Sequence, residues 1–312
     1  MDTETTSCLI CGSIRYTLHS QLQDWAYSVP GEFQLVRCLD CGHIYQTPRP
    51  SQDAMGALYP DDYQPFRRTI AQEPNAWIRA WRHLQWRPRC LQVARLRSGG
   101  RLLDVGASTG LFLNEMRRYG QWMLVGVELS QHAVSYARDT FGLEVFAGQV
   151  EEAPWPCASF DVITCWDVLE HLPNPHAALF KMYELLTDDG YLMLSVPNAG
   201  SLDARLFGRY WIGLDPPRHL SVFSLAGLER LLSETGFKVD AAFCFYGRYT
   251  AFALSVQQYL RARLPRSPLR LLIERVMFFP LWRFLSLPYF WLLDQMRLGA
   301  IITVRARPQV SK

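Results

Sequence analysis

Leu103-Asp104-Val105-Gly106-Ala107-Ser108-Thr109-Gly110 is the stretch whose reading decides the fold. Arg101–Val105 reads as a short apolar strand, and Leu111–Tyr119 follows with helical periodicity. Between them every residue is small. Small residues let a backbone approach a ligand closely, and the helix that follows presents its free N-terminal amides to it. Taken alone, such a turn indicates only a nucleotide-like ligand.

Outward from this turn the chain alternates. Met123–Glu128 reads as a strand, Gln131–Phe141 as a helix, and Leu143–Ala147 and Phe160–Trp166 as strands. His176–Leu186 is helical, Tyr191–Val196 a strand, Leu225–Thr235 a helix and Phe237–Phe245 a strand. The alternation predicts an α/β fold, a parallel sheet covered by helices on both faces. Ligands of such sheets sit beyond the carboxyl ends of the strands. The second strand ends at Glu128, whose carboxylate is placed to accept hydrogen bonds from ribose hydroxyls. A nicotinamide-binding fold shares both features. Asp104 ahead of the glycines is the departure: a carboxylate there repels a pyrophosphate and attracts an ammonium group.

These residues resemble the class I S-adenosylmethionine-dependent methyltransferases, and within them the ubiquinone-type O-methyltransferase-like group with an N-terminal zinc ribbon. The matching runs are Leu103–Gly110, Gly126-Val127-Glu128-Leu129-Ser130, Phe160–Ile163, Trp166-Asp167-Val168-Leu169-Glu170-His171-Leu172 and Asp189-Gly190-Tyr191. They extend over residues 95–245, with a weaker match in the ribbon. The resemblance implies a Rossmann-like seven-stranded sheet with the ribbon before it; this chain departs from it in carrying an apolar helical insertion before the last strand, where the group has a near hairpin. It also implies S-adenosylmethionine as cofactor. Asp104, Gly106, Ala107 and Gly110 would cradle the methionine part, with Asp104 near its amino group. Glu128 would hold the ribose, and Leu129 would flank the adenine. Gln149 stands where the group often has an aspartate facing the adenine amino group; its carbonyl would accept the same bond. Ser108 replaces a frequent glycine and is expected to be tolerated because it is small. Trp166 and Asp167 would line the pocket near the sulfonium.

Methyl transfer from a sulfonium is an in-line displacement, so the protein mainly positions the acceptor and, for a hydroxyl, removes a proton. Two histidines are candidates. His171 follows the fourth strand, where it either fixes the loop or takes part in catalysis. His219, in Asp215-Pro216-Pro217-Arg218-His219-Leu220, is read as a general base or acceptor-positioning group, with a structural hydrogen bond as the alternative. Asp215-Pro216-Pro217 is not taken for a base-methylating motif, because it follows the fifth strand rather than the fourth and is succeeded by an arginine.

Near the start, Cys8-Leu9-Ile10-Cys11-Gly12 and Cys38-Leu39-Asp40-Cys41-Gly42 are two C-x-x-C-G units. Each turn points two thiolates at one ion, and together they form a closed four-cysteine site suited to structural Zn2+. Iron is the weaker alternative. The four remaining cysteines, Cys90, Cys157, Cys165 and Cys244, are scattered, which reads as free thiols in a reducing compartment rather than a disulfide framework. Met1–Thr6 has neither the basic start nor the apolar run of a signal peptide. A cytoplasmic protein is expected.

The organisation read from these patterns is a zinc ribbon over 1–47, a helical connector over 48–98, and a methyltransferase core over 99–246. An apolar helical insertion over 247–298 and a final strand with its tail over 299–312 complete it. In the connector, Trp77, Trp81 and Leu84 share a helical face while Arg79, Arg82 and Arg87 point elsewhere; the helix either packs on the core or touches an anionic surface. The insertion separates Phe237–Phe245 from a final strand at Ala300–Arg305. Two prolines and Arg283 interrupt its apolar runs, so a simple transmembrane helix is not expected. Arg261, Arg263, Arg266 and Arg270 flank it as an interfacial belt would. Residues 262–296 are therefore read as peripheral contact with the inner membrane face or a greasy lid, against a helical subdomain burying its own apolar face.

With 49% hydrophobic residues and a net charge of +3, nothing in the composition calls for nucleic acid, and the ribbon's few basic residues, Arg15 and Arg37, argue against it. The acceptor is read as a small molecule, a saccharide or a lipid-linked compound, most readily methylated on oxygen. An RNA methyltransferase gripping its substrate with the ribbon and a non-catalytic cofactor-binding regulator are the alternatives. Acceptor identity and oligomeric state are not legible.

Overall fold

Leu102, Leu103 and Val105 of one strand and Phe160, Val162, Ile163 and Cys165 of the next are all buried. Strands apolar on both faces occupy the middle of a sheet clad on both sides. The computed structural model describes residues 2–55, 58, 76–277 and 279–309. In chain order its strands are β1 (Thr3–Glu4), β2 (Tyr16–Leu22), β3 (Phe33–Cys38), β4 (Ile44–Gln46), β5 (Arg49–Pro50), β6 (Gly99–Val105), β7 (Gln121–Glu128), β8 (Glu144–Ala147), β9 (Phe160–Trp166), β10 (Leu186–Pro197), β11 (Ser221–Val222), β12 (Phe237–Phe243) and β13 (Ile301–Pro308). The helices are α1 (Gln52–Met55), α2 (Ala76–Ala94), α3 (Leu111–Met116), α4 (Gln131–Phe141), α5 (Pro175–Leu185), α6 (Leu202–Phe207), α7 (Leu225–Glu234), α8 (Arg248–Arg263), α9 (Pro268–Met277), α10 (Pro280–Leu285) and α11 (Leu287–Gln295).

The central sheet has seven strands in the order β12-β13-β10-β9-β6-β7-β8. Neighbours from β10 to β8 pair in parallel, and β13 is antiparallel to both β10 and β12. This is the expected α/β sheet. On one face Phe112, Leu113, Met116, Val134 and Ala137 pack with Cys90 and Val93 of α2. On the other, Leu179, Met182, Leu231 and Leu232 share a core with Cys8, Ile10, Tyr45 and Phe223.

Several expected bounds shift. The helix begun at Leu111 ends at Met116, because Arg118 and Tyr119 turn more tightly, their amides donating to Glu115 and Met116 carbonyls. The strand expected at Tyr191–Val196 starts earlier, at Leu186, across a register irregularity. The direction of β12, which the sequence leaves open, is now fixed. It runs antiparallel to β13, hence parallel to β10, so the insertion leaves from the same edge at which β6, β7 and β9 end.

A second sheet, in the order β11-β4-β3-β2, holds three of the N-terminal strands, while β1 and β5 pair with each other. Its edge strand β11 comes from far along the chain, with Ser221 opposite Tyr45 and Val222 opposite Ile44. Residues 76–94 are helical, but the side chains of Trp77, Arg79, Trp81, Arg82 and Leu84 lie outside the described residues, as does Phe278 of the insertion. Among the described residues no helix is long and apolar enough to cross a membrane. None of α9's residues is buried. Leu271, Leu272, Phe279, Trp282, Phe284 and Trp291 are exposed, so this part of the insertion does not bury its apolar face in its own chain. The proposed arginine belt is partly committed elsewhere: Arg261 donates to the Trp25 carbonyl (3.1 Å), Arg263 lies over Tyr210 (5.8 Å), and Arg270 pairs with Glu274 (3.6 Å).

Candidate functional site

The glycine turn closes the carboxyl end of β6. Gly106, Ser108 and Gly110 have φ of 76°, 48° and 76°, in the left-handed region. At position 108 the backbone, not side-chain size, is what favours glycine, and serine accepts a modest strain there. A Cβ on Gly106 would come 2.3 Å from the Val168 side chain, so no larger residue fits the cradle. Ala107 is buried and its amide donates to the Val127 carbonyl, which stitches the turn to β7.

Two carboxyl groups flank the turn. Asp104 is 3% exposed and accepts a bond from Thr164 Oγ1 at 2.6 Å. Burial pushes its carboxyl up to about 7, against the opposing pull of Thr164 and Arg89. Glu128 ends β7. Its oxygens accept from the Ser108 and Ser130 amides, each at 2.9 Å, while burial raises its pKa. Leu129 beside it is 65% exposed, and Gln149 is half-buried at the end of β8. The structure thus brings Asp104, Gly106, Ala107, Gly110, Glu128, Leu129 and Gln149 to one edge.

Trp166 and Asp167 reach the same edge at the end of β9. The Trp166 ring nitrogen is buried without a hydrogen-bond partner among the described residues. Around Asp167 lies a cluster that the sequence reading missed. Arg89 of α2 donates to Asp167 Oδ2 at 3.1 Å, and the Tyr246 hydroxyl sits 2.9 Å from both carboxylate oxygens. Ser195 of β10 bonds Asp167 at 3.1 Å and also bonds Tyr246. The Arg89 guanidinium lies 3.8 Å from the Tyr246 ring centroid and 5.0 Å from that of Trp86. Its Nε has no partner among the described residues. Arg89 adjoins the aromatic and basic stretch of the connector, but no spacing rule ties that stretch to Asp167.

Beyond β9, the 3-10 turn Leu169–His171 meets the loop carrying His219. The two imidazoles are 4.6 Å apart, edge to face. His171 Nδ1 contacts the Arg218 carbonyl at 3.0 Å, and His219 Nδ1 the Gly213 carbonyl at 2.9 Å. A carbonyl only accepts, so both Nδ1 atoms carry the proton and both Nε2 atoms keep a lone pair. Burial lowers the pKa of both rings, which are neutral at pH 7. Glu170 is 1% exposed, and neither carboxylate oxygen has a partner among the described residues. Ligand atoms of Glu170, His171 and His219 lie within 4.8 Å of one another, a set with the chemistry to hold a divalent cation.

Cys8, Cys11, Cys38 and Cys41 converge likewise, with Cys8–Cys41 and Cys11–Cys38 sulfur separations of 3.5 Å. Tetrahedral zinc with ~2.3 Å bonds requires sulfurs roughly 3.8 Å apart, so the residues fit such an ion. Burial raises the Cys8 and Cys41 thiols; it acts the same way on Cys38, but there the Cys41 and Asp40 amides outweigh it and bring the thiol down to about 7. The ribbon's Arg15 is paired with Asp40, which weakens its claim on a phosphate backbone.

Residues 78–242, more than half the chain, match the methyltransferase domain family. The ubiquinone biosynthesis O-methyltransferase of Neisseria meningitidis is 29% identical over 111 residues, 32% of this chain and 45% of that protein. The mitochondrial ubiquinone biosynthesis O-methyltransferase of Schizosaccharomyces pombe is 34% identical over 106 residues, 31% of this chain and 38% of that protein. The O-methyltransferase cnsE of Penicillium expansum is 28% identical over 150 residues, 45% and 53% of the two chains. The matches therefore span roughly two fifths to half of these relatives. Among solved structures, the [4+2]-cyclase SpnF superposes with a TM-score of 0.55 at 19% identity, covering 84% of this chain and 98% of that one. A methyltransferase of Bacillus halodurans superposes with a TM-score of 0.50 at 20% identity, covering 70% and 97%. The likeness to both is one of fold. From the glycine turn, the strand order and this match together, the chain belongs to the methyltransferase domain family, with the sheet of the class I S-adenosylmethionine-dependent methyltransferases.

Proposed function

We propose that the protein is an S-adenosylmethionine-dependent O-methyltransferase acting on a small-molecule, saccharide or lipid-linked acceptor. One observation carries this reading: Asp104 and Glu128 flank a left-handed glycine turn at adjacent strand ends, and two neutral histidines stand just beyond β9. Bound there, S-adenosylmethionine supplies a methyl group made electrophilic by its sulfonium. Asp104 takes the ammonium group, and Gly106, Ala107 and Gly110 admit the methionine backbone. Glu128 holds the ribose, Leu129 and Gln149 flank the adenine, and Trp166 and Asp167 border the sulfonium. The guanidinium of Arg89 adds a cation at the same edge, suited to the methionine carboxylate. His219 Nε2 accepts the proton of the acceptor hydroxyl, and His171 sets the place of that loop.

The ribbon is assigned a structural zinc, the core the transfer itself, and residues 262–296 contact with a membrane surface that presents a lipid-linked acceptor. Arg15 and Arg37 offer too little positive charge to favour RNA. Titration calorimetry with S-adenosylmethionine tests the cofactor site; no heat of binding sinks the proposal. Transfer of a tritiated methyl group into a lipid and small-molecule extract separates enzyme from regulator. In that assay His219→Ala is expected to lose at least a hundredfold in rate with cofactor affinity unchanged; full turnover would remove His219 from the chemistry. The unpartnered Glu170 carboxyl, whose pKa burial and the nearby Asp167 raise well above the usual range, favours a second role for the same cluster, as a cation site that would draw off its proton on binding. Saturable Mg2+ or Mn2+ binding that Glu170→Gln abolishes would support it.

A further inference from the structure

The segment that carries His219 is built into the ribbon as one of its strands. Leu220 gives its carbonyl to the Gln46 amide at 3.0 Å, and Ser221 and Val222 then pair with Tyr45 and Ile44. β4 begins three residues after Cys41, and the buried His43 between them bonds Ser221 Oγ at 3.2 Å and packs on Phe223 at 5.2 Å. A second tie is ionic. Arg218 is wholly buried and donates to both oxygens of Asp24, at 2.9 and 3.0 Å, and to both oxygens of Asp215, at 2.8 and 2.6 Å. Asp24 lies in the turn after β2, where it also accepts from the amides of Ala26, Tyr27 and Val29. The tie ends on the histidines. The Arg218 carbonyl accepts from His171 Nδ1, the His219 amide donates to the Asp215 backbone carbonyl, and the Leu220 amide donates to the Glu170 backbone carbonyl.

We infer that the four-cysteine ribbon is the scaffold of the His171–His219 pair, with Asp24 and Arg218 as positioning residues, so that metal in the ribbon governs the order of the acceptor loop. The inference rests on the proposed role of His219, and it assigns the ribbon work inside the site. A buried arginine shared by two carboxylates holds one geometry, because leaving any of the three charges without its partner is costly. Metal-dependent hairpins lose their turns when the ion leaves, and β4 would then lose the register that holds β11.

Hydrogen exchange on the zinc-loaded full chain tests this. In Asp24→Asn the amides of 215–222 are expected to exchange at least tenfold faster, with zinc content unchanged and S-adenosylmethionine affinity within threefold of the parent. The long-range nitrogen spectrum of His219 is expected to lose its single Nδ1–H tautomer signature. Arg218→Lys, which keeps the charge but not the fork, should show the same pattern more weakly and serves where Asp24→Asn does not fold. Removing zinc from the parent chain should reproduce the loss. Unchanged protection of 215–222 in the variants and in zinc-free protein overturns the inference. So does an equal rise in exchange through β6 and β7, which would make the ribbon a general prop for the fold. Absence of cofactor binding in the parent would strike the proposed function while leaving the exchange comparison readable.

Discussion

Asp104 is under two opposed demands. Burial raises its pKa from 3.8 to about 7, so the unliganded fold favours the neutral acid, whereas an ammonium ligand favours the carboxylate. Cofactor affinity should therefore rise with pH through about 7, with proton release on binding below that point, and fall again above about 8 as the cofactor's own α-amino group loses its proton. Calorimetry across pH 5.5–8.5 in buffers of different ionisation enthalpy reads these effects, and Asp104→Asn should bind weakly without the rise. The stability sign is the reverse. A carboxyl whose folded pKa exceeds its unfolded value stabilises most at low pH, and that contribution fades as pH climbs from about 4 to about 7. Cofactor-free Asp104→Asn should then melt above the parent at pH 8 and alongside it or below it at pH 4. Ser108→Gly relieves a left-handed serine and is expected to add about 0.5–1 kcal/mol in denaturant titration without loss of binding. Asp104 and Glu128 were legible because their roles depend on position relative to strand ends, which hydrophobic patterning locates. Arg89, Ser195 and Tyr246 were not, because they come from α2, β10 and the residues after β12 and meet only at Asp167.

At the level of elements, legibility followed length. β6, β7, β9 and α4 each carry enough residues to show a period, and their expected bounds hold within two residues. β11 has two residues and no period, so nothing in 221–222 announces a strand paired with residues nearly 180 positions earlier. The direction of β12 was equally hidden, since a strand's polarity within a sheet is set by its neighbours. That direction places the insertion at the cofactor edge, and Tyr246, only three residues past β12, already bonds Asp167. An ion pair joins the two ends of the insertion. Arg248 at the start of α8 bonds Asp294 near the end of α11, a carboxylate only 4% exposed. Arg248→Met leaves that carboxyl buried without its cation, and part of the cost is relieved by protonation, because burial already raises the Asp294 pKa. A loss of about 2–3 kcal/mol is expected. It should appear as a lower urea midpoint and faster proteolysis within 264–290, and an unchanged cleavage pattern would mean that the pair does not close the insertion.

Across the whole molecule, two additions meet the edge where the strands end. The ribbon contributes β4 beside the His219 loop, and the insertion departs from β12 with α8 packed near it, where Ser255 Oγ accepts the Ile212 amide. What the insertion then presents outward is apolar: Trp282 and Trp291 are about half exposed and Phe284 more so. Residues 261–297 contain seven arginines against Glu274 and Asp294, and Arg263, Arg266, Arg275 and Arg297 are exposed. The short helices suit a surface-lying element, with aromatic side chains at the level of the headgroups and cations facing anionic lipid. Each such arginine contributes about 1 kcal/mol near an anionic surface, and salt screens it. Sedimentation with anionic phosphatidylglycerol-rich vesicles should therefore exceed that with neutral phosphatidylcholine vesicles by at least tenfold, and should fall severalfold between 0.1 and 0.5 M salt. Trp282→Glu/Phe284→Glu removes apolar contact without touching the core, so its melting temperature should match the parent while vesicle partition drops tenfold or more. Cofactor affinity is the internal control, because both residues are exposed members of α10 and not part of the glycine turn. Equal partition of parent and variant, at equal stability and equal cofactor affinity, would remove the membrane from the account and leave the exposed helices to a partner of another kind.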